Sequence, residues 1–461
     1  MPYRAHARAT LVLGLPLIGS HLAQMALHVT DTVMLGWYSV EALAAGVLGA
    51  STFFILFILG AGFAQAVMPM VAAAMGRGDE TQVRRDTRMG MWLSVGFGIA
   101  IYPVFWFSEP ILLALRQDPY LSELARDYLR VAGLGLVPAL LVMVLKSYLA
   151  ALERTQVVLW ITVAAVGVNI AVNWALIFGH WGAPEMGVTG AAVASVIVQV
   201  LSFIVLALYA AILPSLRRFR LFQRFWRPDW QAMGQVFRLG WPIGLTGLME
   251  GGLFHAAALM MGWIGTVELA AHGIALEVTA LTFMIHVGLS NAATVRTGRY
   301  DGAGDARALR DGAKVALALS QGAGLVVIVC YLLFPAQIIG LFLAADNPQL
   351  PQIVAYGTTL LYMAALFQVA DAAQVMALGL LRGIRDTRVP MWIAAICYWG
   401  IGIPCSYVLA FPLGMGGQGL WLGLVIGLTL AAVALLWRFW LLAPRQDGRA
   451  DPADGPAAHA R

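Results

Sequence analysis

Charge is what this chain has least of. Asp, Glu, Lys and Arg make up only 11% of its 461 residues, against 60% hydrophobic residues. That balance excludes a soluble globular domain, and nucleic acid is not an expected partner. Cysteine is scarce too: Cys330, Cys397 and Cys405 all fall inside apolar runs, which argues against a disulfide framework. The eight histidines include His21 and His28, two helical turns apart, and His255. No HExxH or Cys-His cluster accompanies them, so no structural metal or cofactor is expected. No nucleophile and base pattern of an enzyme is present, nor anything resembling a channel's selectivity filter. The apolar run after Arg4 and Arg8 is too long for a cleavable signal peptide and reads as a permanent span.

What is present is a succession of apolar runs of about 20 residues, the length that crosses a bilayer as helix. Hydrocarbon cannot satisfy free backbone groups, and the runs do not alternate as barrel strands would. The expected fold is an all-α polytopic membrane protein with twelve transmembrane helices. Their predicted limits are 11–36, 44–74, 89–107, 124–148, 157–179, 187–212, 237–262, 270–295, 312–334, 351–380, 390–411 and 417–440. Placing the N-terminus in the cytoplasm leaves only Arg116, Arg126 and Arg130, of 29 basic residues, on the outer side. The positive-inside bias therefore predicts both termini in the cytoplasm.

The chain also repeats itself. At an offset of 226 residues, Leu13–Pro16 (LGLP) lies over Leu239–Pro242 (LGWP), and Gly76–Asp79 (GRGD) over Gly302–Asp305 (GAGD). With small shifts, Leu152–Thr155 (LERT) matches Ile384–Thr387 (IRDT), and Met186–Gly190 matches Met415–Gly419. The implied organisation is a six-helix lobe at 1–212, a basic linker at 213–236, a homologous six-helix lobe at 237–443 and a disordered cytoplasmic tail at 444–461. An even number of spans per lobe makes these parallel repeats about a pseudo-two-fold axis along the membrane normal, an architecture suited to alternating access. The linker gathers Arg, Trp and Phe, which suits anionic lipid headgroups; the positive-inside bias alone also accounts for it.

Four carboxylates break the symmetry: Asp31, Glu250, Glu277 and Asp371 lie inside spans, with no Lys or Arg expected at their depth. Such a group costs about 2.5–3.5 kcal/mol at a helix centre unless it is protonated, paired or faces water. It therefore holds a proton or binds a cation. In the repeat, Glu250 matches Gln24 and Asp31 matches Ala257, while Asp371 matches an apolar stretch, Ala139–Met143. Glu250 and Asp371 share the C-terminal lobe and are placed to share one ion or proton, with Glu277 as a third candidate. Asp31 belongs to the N-terminal lobe, where Asn169 and Asn173, one turn apart, are placed to hydrogen-bond it; Gln24 is a further polar candidate. Each of these could instead pin helices together, at about 0.6 kcal/mol per polar contact. Pro16 and Pro242 occupy equivalent places and are candidate kinks, one of them upstream of Asp31.

These residues resemble the multidrug and toxic compound extrusion (MATE) family, in its NorM-like bacterial branch. The likeness spans roughly Arg8 to Trp440. It is carried by DTVMLG at Asp31–Gly36, by Pro242 with Glu250 eight residues on, and by QVADAAQVMALGLLRGIRDT at Gln368–Thr387. The resemblance implies a twelve-span antiporter, expected to act as a monomer, that exports organic cations and amphipathic drugs against sodium or protons. It implies a cation site at Glu250 and Asp371, and a site linked to protonation at Asp31, Asn169 and Asn173. It also implies an aromatic residue, Phe367, one turn before Asp371. Glu277 departs from the bacterial pattern, in which an uncharged polar residue is common. The nearest rival is a lipid-linked precursor flippase of the same superfamily, which should carry several basic residues in its cavity; Lys146 is the one near-candidate. An integral-membrane enzyme is the rival from another class.

Overall fold

The computed structural model describes residues 2–343 and 348–443; the predicted tail at 444–461 lies outside them. Eleven helices are long and apolar enough to span a membrane, and a bent pair, Pro119–Leu134 with Leu136–Ala151, completes twelve. No strand occurs among the described residues. The bend of 45° has a local cause. Pro138 has no N–H to give to the carbonyl of Leu134, so the ladder breaks there and restarts after Gly135.

Several spans extend beyond the hydropathy limits on the side that carries both ends of the described chain. The third is Glu80–Trp106 rather than 89–107, and the seventh starts at Trp230 rather than at 237. Capping explains both. The Asp79 side chain accepts from the Gln82 amide, and Asp229 does the same for Ala232. A capped helix start can project past the hydrocarbon into polar surroundings.

The duplication is written in the backbone. Gly78 and Gly304, equivalent by the 226 offset, both end a helix in the left-handed region, with φ of 73° and 72°. Glu153 and Arg385, equivalent in LERT and IRDT, are both left-handed, at 61° and 62°. A non-glycine residue rarely adopts this region, so a matched pair reflects a shared fold and not chance.

The lobes are clasped in the half of the bundle that carries Tyr3 and Leu442, here the terminal half. His6 and Arg296 meet at 2.9 Å, His21 and Asn291 at 3.0 Å, and Arg382 donates to Gln65 at 3.3 Å. Glu153 pairs with Arg299 across the same seam. Backbone meets backbone there: a Cβ on Gly76 would stand 2.2 Å from the Arg299 carbonyl oxygen, and one on Gly302 2.1 Å from that of Ala73. The second and eighth spans cross at these two glycines, which are each other's repeat partners.

Candidate functional site

The first span, Tyr3–Tyr38, carries Gln24 near its middle and Asp31 toward its far end. The fifth, Thr155–Phe178, presents Asn169 and Asn173 on one face, both buried. The structure brings these together: Asp31 Oδ1 accepts from Asn169 Nδ2 at 3.1 Å and from Asn173 Nδ2 at 2.6 Å. A third donor, Ser195 of the sixth span, reaches Asp31 Oδ2 at 3.2 Å. Asp31 and Asn169 line a cavity of about 410 Å³ with Phe53, Phe54, Tyr128 and His255. This volume and its aromatic lining suit a drug-sized molecule. A second cavity of about 230 Å³ shares Gln24, His28, Phe54 and Phe57 with it and continues toward the clasped half. Gln24 accepts from Lys146 there at 3.1 Å.

The C-terminal lobe holds a different arrangement. Asp371 of the tenth span, Leu350–Gly383, is fully buried, and neither of its oxygens has a hydrogen-bond partner. Glu250 of the seventh span is within electrostatic reach of it, and Glu250 Oε1 is also unpartnered. Beside them Gln374, one turn after Asp371, donates its amide to the Tyr398 hydroxyl while its own Oε1 lacks a donor. Four acceptor oxygens are thus left unsatisfied around one place. Buried acceptors without donors are costly, and a cation or a proton is what relieves them.

Tyr398 lies within a π-helical turn formed by Ala395–Gly402 of the eleventh span, a wider coil often found at functional sites. Neither Gln374, Tyr398 nor Ser195 was among the residues expected from sequence. Gln374 was detectable in principle, as a polar side chain on the Asp371 face of its own helix.

Three expectations need correction. Glu277 is not buried with Asp371: it lies on the exposed stripe Gly273, Glu277, Leu281, while the eighth span turns Thr279 and His286 into the protein. Phe367 packs edge to face against Phe254 and Trp421, at 6.0 and 5.8 Å, so it supports the wall behind Asp371. Glu250 does have a basic neighbour, since Arg382, in the last turn of the tenth span, reaches back into its electrostatic range. A long, flexible side chain can act well away from its own Cα. Pro16 and Pro242 both sit within uninterrupted helices. No group of three or more His, Cys, Asp or Glu able to hold a metal occurs among the described residues.

Known proteins share this plan. Residues 16–175 and 242–408 match the MatE family model. A probable multidrug resistance protein NorM of Rhizobium meliloti is 47% identical over 440 residues, covering 95% of this chain and 94% of that protein. The multidrug resistance protein NorM of Burkholderia vietnamiensis is 40% identical over 445 residues, covering 95% and 94%. Among solved structures, an outward-facing conformation of a multidrug resistance MATE family transporter superposes with a TM-score of 0.85 at 21% identity, covering 95% of this chain and 97% of that one. The eukaryotic MATE transporter AtDTX14 superposes at 0.82 and 21% identity, covering 96% and 97%. With matching family segments in both lobes and relatives aligned over almost the whole chain, this multi-pass bacterial membrane protein belongs to the MatE family, as a NorM-like transporter and not an enzyme.

Proposed function

We propose that the chain is a secondary active multidrug efflux antiporter that exports cationic or amphipathic organic compounds in exchange for sodium ions or protons. The observation that carries this reading is the set of unsatisfied oxygens of Glu250, Asp371 and Gln374. A sodium ion takes oxygen ligands, and a proton converts an acceptor into a donor; either one completes the site. The cavity in the N-terminal lobe, with Asp31 in its wall, aromatic rings around it and His255 of the other lobe at its edge, suits an organic cation.

Exchange then follows from electrostatics. A coupling cation arriving at Glu250 and Asp371, or a proton at Asp31, neutralises charge that would otherwise hold the drug, and the drug leaves. The neutralised lobes rock, the clasped half opens and the cation is released on the other side. Each unit charge moving down the membrane potential supplies about 2.3 kcal/mol per 100 mV. In this reading the clasped terminal half faces the cytoplasm, with both termini on that side of the inner membrane, and one chain suffices.

The flippase reading is less well supported. Two basic residues, Lys146 and Arg382, line the smaller cavity, but each is already bonded to a glutamine, and no Lys or Arg lines the larger one. The test is uptake of a fluorescent organic cation into inverted vesicles, with sodium varied at fixed pH and then pH varied without sodium. Ion-driven uptake should disappear in the Glu250→Gln, Asp371→Asn double variant. Unchanged uptake in that variant would sink the C-lobe assignment.

A further inference from the structure

Away from the transport pathway, a separate cavity, of about 650 Å³, opens on the terminal face. It is bounded by the start of the third span, the linker between the lobes and the start of the seventh span. Six arginines line it: Arg84, Arg85, Arg88, Arg220, Arg224 and Arg227. The one carboxylate in its wall, Asp229, is already taken by Arg85.

Keeping a linker on one side of a membrane requires only that it be basic. It does not require the linker to fold back and gather its arginines around a space. Here Arg220 and Arg224 both adopt the left-handed backbone, with φ of 48° and 56°. Arg88 holds the linker in place by donating to the carbonyls of Gln223 and Arg224, at 2.7 and 3.0 Å, and Trp92 donates to that of Phe225 at 2.9 Å. Arg84 Nε and Arg88 Nε are buried with no acceptor. Six guanidinium groups around one cavity, with a single carboxylate among them, supply more N–H donors than the protein satisfies and match the oxygens of a phosphate. Trp226 and Trp230, 72% and 75% exposed, flank the linker arginines, and such aromatic residues settle at the headgroup level of a bilayer.

We propose that this pocket is a binding site for the phosphodiester headgroup of an anionic phospholipid in the adjoining leaflet. The bound lipid would brace the linker against the third and seventh spans, one from each lobe.

The test is native mass spectrometry of the full chain in detergent with added phosphatidylglycerol. Arg84→Gln, Arg224→Gln and Arg227→Gln together should reduce retained lipid about fivefold or more, because the clustered charge that attracts the headgroup is gone. Removing three charges from the matching region of the other lobe, by Arg307→Gln, Arg310→Gln and Lys314→Gln, should leave retention unchanged. Equal loss in the two triple variants, or no loss in either, overturns the proposal. Soluble glycerol phosphate binding as well as the lipid would overturn the lipid as the ligand. Should the first triple variant not elute as a single folded species, each single substitution is measured alone. A loss of about twofold apiece is then expected, and full retention in all three singles overturns the site.

Discussion

The two lobes share a frame and treat their buried acids in opposite ways. In the N-terminal lobe, Asp31 opens on the cavity and receives hydrogen bonds from Asn169, Asn173 and Ser195. In the C-terminal lobe, Asp371 is sealed from solvent and receives none, and Glu250 and Gln374 beside it also keep free acceptors. A carboxylate held by three donors has its hydrogen bonds met by the protein itself. A carboxylate surrounded by other acceptors is stable only with a positive charge or proton added. Duplication supplied the scaffold twice, and divergence left the acid of one copy hydrogen-bonded and that of the other without a donor.

Asp371→Asn is expected to break this contrast most sharply. Ion-driven transport should fall by about tenfold or more, equivalent to about 1.4 kcal/mol. The midpoint of thermal unfolding in sodium-free buffer should rise, because a buried charge without donors has been removed. A fall in the midpoint would mean that Asp371 has partners in the folded protein after all. Asp31→Ala should do the reverse for stability, costing about 1–3 kcal/mol by leaving two buried amides and a hydroxyl without their acceptor. The same thermal measurement checks it, and an unchanged midpoint would show that those bonds contribute nothing.

Arg382→Gln sharpens the comparison from another side. In the proposed exchange the guanidinium near Glu250 would repel an incoming cation, so its removal should lower the concentration of coupling ion needed for half-maximal transport several-fold. A rise in that concentration would show that Arg382 organises the site. Glu277→Gln should have the smallest effect, within about twofold on transport rate, as expected of an exposed side chain outside the site. A loss as large as that of Asp371→Asn would return Glu277 to the coupling group.

The pattern of legibility follows from these residues. Asp31 and its asparagines could be read from sequence because all three are polar in apolar helices, and Asn169 and Asn173 are one turn apart. Twelve spans were legible because hydrocarbon demands long apolar helices, and the repeat because Gly, Pro and Asp recur at fixed offsets. The face of Glu277 was harder to see, although Thr279 and His286 mark the buried side of that helix. Tyr398 could not be placed, since the π-helical turn at Ala395–Gly402 breaks the periodicity from which faces are counted. Arg382 was hidden by its own reach, its backbone lying at a helix end while its charge acts deeper.

The crossing of Gly76 and Gly302 sets the thickness of the closed seam. With only hydrogen where a side chain would begin, each glycine lies against the other helix's backbone, and even one methyl group has no room. The smallest wedge that a mutation can insert, a single carbon atom, is already large enough to prise the lobes apart on that side. What holds this transporter shut therefore includes a pair of missing atoms, placed at the same point in each half of a doubled chain.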